Sequence, residues 1–146
     1  MIRLALAGIH LLALAIGLGS VWARARGLRE SLDQANLKRI FAADGLWGLA
    51  AGLWIATGLW RLLAATEKTT DYYLRHPLFH AKMGLLLLIL VLEVSPMVTL
   101  IKWRRGLTPD PRRARTLSTV SYLEAWIVVV MVFVAVALAR GYAARI

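Results

Sequence analysis

The sequence contains no cysteine. That excludes disulfides, thiolate metal centres and cysteine nucleophiles together, and thiol usage says nothing about redox compartment. Acidic residues are also scarce: eight Asp and Glu stand against 18 Lys and Arg, for a formal charge of +10. No Gly-rich phosphate loop follows a strand, because no convincing strand is present. No Ser–His–Asp arrangement and no metal-spaced carboxylate pair is evident. What the chain has in quantity is apolar surface. Hydrophobic residues make up 60% of its 146 positions, whereas an ordinary soluble domain has roughly 45–50%. The mean hydropathy is +0.65. In a soluble protein so basic a balance would suggest nucleic acid. Here the basic residues flank apolar runs, so anionic membrane lipid is the simpler partner and nucleic acid is not expected.

Four apolar segments stand out, at about 4–23, 41–65, 78–101 and 120–139. Each reaches the roughly 20 residues that cross a bilayer core, and spans in lipid must pair their backbone groups internally, as helices do. The first run has only Arg3 ahead of it and is followed by three more, so it reads as a retained helix and not as a signal peptide. The expected fold is all-α: one integral membrane four-helix bundle with short loops. Asn36 is expected to cap the second helix, Pro77 to open the third, and Asp110–Pro111 could restart the chain after the third loop.

Orientation follows from the basic residues. Segment 24–40 carries Arg24, Arg26, Arg29, Lys38 and Arg39, and segment 102–119 carries Lys102, Arg104, Arg105, Arg112, Arg113 and Arg115. The other flank has Arg3, Arg61, Lys68, Arg75, Arg140 and Arg145. The positive-inside rule then places both of those loops in the cytoplasm and both termini outside, in a bacterial inner membrane. Trp22 and Trp103 fall at the inner interface of this arrangement; Trp60, Tyr72, Tyr73 and Tyr142 fall at the outer one.

Ionisable residues inside the spans are functional candidates by default. With a rise of about 1.5 Å per residue, His10 lies roughly 9 Å and Lys82 roughly 6 Å inside the outer ends of parallel helices, at similar depth. Glu93, Asp44 and Glu124 lie in the inner half. Lys82 and Glu93 share a helix face but are about 16 Å apart, too far to pair. Each candidate has a plain alternative. Lys82 could snorkel to headgroups, and His10 could make an interhelical hydrogen bond. Asp44 could be interfacial, and Glu93 could be a protonated or hydrogen-bonded carboxyl at a kink near Pro96, where backbone carbonyls are freed. Ser121–Glu124 fits a capping box opening the last helix, unless that helix starts near Pro111. His76 and His80 have metal-capable spacing, but His76 precedes Pro77 and the pair reads as interfacial. Gly45, Gly48 and Gly52 share a face, suited to close helix packing or to a flat cofactor. Gly17 lies on the His10 side of the first helix.

"GIHLLALAIGLG", "FHAKMGLLLL" and "SYLEAWIVVV" together resemble the HemJ-type protoporphyrinogen oxidases, four-span membrane proteins that bind b-type haem. His10 matches their first-helix histidine, Lys82 the lysine opening their third helix, and Glu124 the glutamate of their last. Glu93 stands where that family carries a histidine, and the asparagine and proline of its last motif are missing here. That resemblance spans all four helices in layout but is thin in identity, and the chain looks closer to a related, uncharacterised family of small bacterial four-span membrane proteins. The resemblance implies haem b with His10 on the iron and Lys82 as a second ligand in its neutral form or as a propionate partner. It further implies a tetrapyrrole against Gly17, Gly48 and Gly52, with Lys82, Glu93 and Glu124 in catalytic or proton-relay roles. The substrate would be lipophilic or porphyrin-like. Two alternatives stand beside it. One is a non-enzymatic assembly factor or partner subunit without cofactor. Another is a proton-coupled transporter fragment. A homo-oligomer is compatible with a chain of this size.

Overall fold

The computed structural model describes residues 1–64 and 69–142. Lys68, Arg145 and the last residue of the second expected span lie outside them. Five helices follow in order: α1 (Ile2–Gly27), α2 (Gln34–Leu63), the short α3 (Thr70–Arg75), α4 (Pro77–Arg104) and α5 (Pro111–Ala139). No strand occurs among the described residues. The four long helices are each long and apolar enough to cross a membrane, so the all-α four-span architecture is the one observed. In close contact they run in the order α2, α1, α5, α4, which leaves α2 and α4 as the loosest seam of the bundle.

The helix starts are set by local chemistry. Asp33, not Asn36, caps α2: its side chain accepts from the Asn36 amide at 2.9 Å. Asn36 sits inside the helix, and its own amide donates to the Gly27 and Ser31 carbonyls, bracing the turn from α1. Pro77 opens α4 as expected, with the His76 imidazole accepting from the Leu78 amide. Asp110 caps α5 directly before Pro111. The helix therefore starts well before residue 120, and Glu124 lies in its buried interior, so the capping-box reading of Ser121–Glu124 does not hold. α4 continues unbroken through the buried Pro96. The hexapeptide α3 is an addition the hydropathy pattern did not signal.

Two apolar clusters form the core. One joins Val21, Trp47, Ile89, Val128 and Met131 across all four long helices. The other, nearer the α1–α2 and α4–α5 loops, joins Leu28, Ile40, Leu100, Trp103 and Leu117. Trp103 thus packs inside, not in an interfacial belt, whereas Trp22, Trp60 and Tyr142 are exposed. Leu11, Leu49, Leu87 and Phe133 put large apolar surface outward on each long helix, which suits a hydrocarbon surround.

Candidate functional site

The inward stripe of α1 organises the polar interior. His10, Gly17 and Arg24 recur every seven residues, nearly two turns apart, and all three are buried. His10 lies toward the end of the bundle that holds Met1, α3 and the last turn of α5. Arg24 lies toward the end that holds the α1–α2 and α4–α5 loops.

At the terminal end a partly open cavity of about 250 Å³ is lined by His10, Trp54, Gly58, Arg61, Tyr73 and Lys82, with apolar residues of α4 and α5 completing it. His10 and Lys82, placed at equal depth by their sequence positions, do meet in one space. The imidazole is held firmly. His10 Nδ1 lies 2.9 Å from Thr57 Oγ1, and the Thr57 hydroxyl donates to the Leu53 carbonyl at 2.7 Å. With the hydroxyl proton so used, the tautomer that pairs with Oγ1 is the one protonated at Nδ1, which has its lone pair at Nε2. Trp54 flanks the ring at 5.7 Å. Gly58 makes room for it, because a Cβ there would come within 3.2 Å of His10 Cε1.

The glycine face does not serve close packing between the described helices. Gly45, Gly48 and Gly52 are exposed, and a Cβ on any of them would meet nothing within 4 Å. Their face turns away from the other helices. Gly17 instead packs on the Trp47 ring, where a Cβ would sit at 3.3 Å. His76 and His80 do not converge. His76 caps α4, and His80 Nε2 lies 2.8 Å from the Leu74 carbonyl.

The second constellation centres on Arg24, which the sequence assigns to a loop. Its side chain is fully buried. Nε donates to Ser121 Oγ at 3.0 Å; Nη1 donates to Asp44 and to Glu93, each at 2.8 Å. Nη2 donates to Glu93 Oε2 at 2.8 Å and to Glu124 Oε2 at 2.7 Å. Trp47 Nε1 adds a bond to Glu93 at 3.0 Å, and Arg104 reaches Asp44 at 2.8 Å. All four long helices meet here. Asp44 is a bridging group, and Glu93 is held by a guanidinium and not by carbonyls near Pro96. Lys82 and Glu93, as their separation requires, belong to different sites. A signal for Arg24 was present: three carboxylates on three separate apolar segments at one depth require a cation, and Arg24 continues the inward heptad from His10.

The terminal cavity thus brings together one imidazole and two basic side chains. The space is smaller than the roughly 300–1,000 Å³ usual for small-molecule sites, so a whole tetrapyrrole would need the cavity to widen.

No curated protein and no solved structure matches the chain. A family profile does: residues 2–143 match the family described as "Predicted membrane protein (DUF2214)", and the chain belongs to that family.

Proposed function

We propose that this membrane protein holds a b-type haem in the terminal cavity, with His10 as axial ligand, and serves redox chemistry on a lipophilic or porphyrin-like molecule. The observation that carries the reading is the His10–Thr57–Leu53 relay. Ligating histidines characteristically donate their second ring nitrogen to a fixed acceptor, which sets the tautomer and the ring orientation. Lys82 and Arg61 stand on the same walls, the residue types that meet haem carboxylates. Phe79, Met131 and Val136 give the cavity its apolar side and limit water. Bound haem would supply one-electron exchange. The reading includes the orientation expected from the charge distribution, with the termini outside a bacterial inner membrane and the 24–40 and 102–119 loops in the cytoplasm.

A second reading, a cofactor-free assembly or partner subunit, is favoured by a different observation. Every N–H of the Arg24 guanidinium is taken up by this chain's own side chains, as in a helix clamp. A haem titration of the purified protein in lipid nanodiscs separates the two. Saturable growth of a Soret band to one haem per chain, lost in His10→Ala, supports the first reading. Absence of saturable binding in folded wild-type protein defeats it and leaves the scaffold. Metal-free porphyrin, followed by quenching of tryptophan fluorescence, distinguishes recognition of the macrocycle from ligation of iron.

A further inference from the structure

The Arg24 network holds more negative charge than its cations match. Arg104 serves Asp44 from the loop end, which leaves Glu93 and Glu124 sharing one guanidinium, and both accept from the same nitrogen, Nη2. Every N–H of that guanidinium already has an acceptor. Two ionised carboxylates side by side in a buried place are costly, and such pairs characteristically retain one proton between them. A second observation is independent of the charge count. Glu124 is fully buried, and its Oε1 has no hydrogen-bond partner. A bare anionic oxygen is the most expensive occupant of that position.

We propose that Glu93 and Glu124 form a carboxyl pair that binds one exchangeable proton, loaded from the loop end of the bundle. The groups facing Glu124 are Arg24 from α1, Asp44 from α2 through Arg24, and Glu93 from α4; Arg104 acts beyond Asp44, and α5 itself contributes the neutral Ser121. Exposure rises from Glu124 to Arg104, the last residue of α4 at the loop end. The Glu124 side chain is 0% exposed, Asp44 13%, Glu93 20% and Arg104 39%. Toward the other end, Val21, Ile89, Val128 and Met131 close the path with apolar side chains. The step is reversible protonation: an O–H bond forms on the pair with a proton from water at the loop end, and breaks to return it. The site does not depend on the terminal cavity binding haem.

Infrared difference spectroscopy in lipid nanodiscs tests this directly. Ordinary exposed carboxyls are ionised at neutral pH, so a protonated-carboxyl stretch at pH 7 reports a retained proton. The expected result is one such band per chain, shifted in D2O, lost at high pH, and absent in both Glu93→Gln and Glu124→Gln. Each single Gln variant leaves the other glutamate, together with Asp44, on Arg24 and keeps near-wild-type thermal stability at pH 7; the double variant loses it. Absence of the band in wild type, its persistence in both variants, or destabilisation of both single variants at pH 7 overturns the proposal. So does displacement of the band by sodium relative to choline at equal ionic strength, which would make this a metal-cation site.

Discussion

Arg24 on α1 and Glu124 on α5 meet at 2.7 Å, 100 residues apart in the chain, with neither side chain exposed. This contact and its neighbours tie together helices that otherwise touch mainly through aliphatic packing. Removing one partner of a buried ion pair strands the others, at a cost of about 3–5 kcal/mol. Arg24→Gln is therefore expected to lower thermal stability by that order in detergent or nanodiscs. Arg24→Lys keeps the charge but loses the planar fork, and should fall between. Wild-type stability in Arg24→Gln would mean the network is not a clamp.

Thr57 is expected to matter through His10. Thr57→Val keeps the shape and removes the acceptor for Nδ1–H. Loss of such outer partners typically weakens metal affinity about 10–100-fold. Haem affinity measured by Soret titration should fall in that range, with helical content unchanged. Equal affinity in the variant would show that the relay does not orient the ligand.

The glycines give a contrast within one helix. Gly58→Val forces a side chain against the anchored His10 ring and should impair ligand binding. Gly48→Ala and Gly52→Ala meet open space, and each is expected to stabilise the helix by about 0.5–1 kcal/mol. Binding and unfolding curves of the three variants check this. Impaired binding in Gly48→Ala together with normal binding in Gly58→Val would return the ligand to the glycine face.

Much of this was legible in the chain. Hydropathy marks four spans because lipid demands long apolar helices, and Pro77 and Pro111 start helices because their missing N–H costs nothing there. Equal depth put His10 and Lys82 together because parallel helices share an axial scale. Arg24 was not legible as a core residue, because a basic residue at the edge of an apolar run reads equally well as a topology signal. α1 runs four residues past the apolar edge, which brings Arg24 inside. Gly58 was missed for a related reason: a glycine stripe shows which residues share a face, not which way that face turns.

Asp33 gives a pH dependence outside the spans. The Asn36 amide, and then the Ser31 hydroxyl, hydrogen-bond to its carboxylate and lower its pKa from the ordinary value. A lowered native pKa means that the cap's contribution is complete above the ordinary Asp range and is lost as pH falls through the native value. Amide exchange in the first turn of α2 is expected to accelerate under acid conditions in wild type. In Asp33→Ala it should already be fast at neutral pH, with no acid step.

The functional reading rests on imidazole at position 10, and absorbance of protein purified from haem-replete membranes tests it most directly. The account predicts a Soret band in wild type that is absent from folded His10→Ala prepared in parallel. A colourless, folded wild type, or an identical band in both proteins, would contradict it.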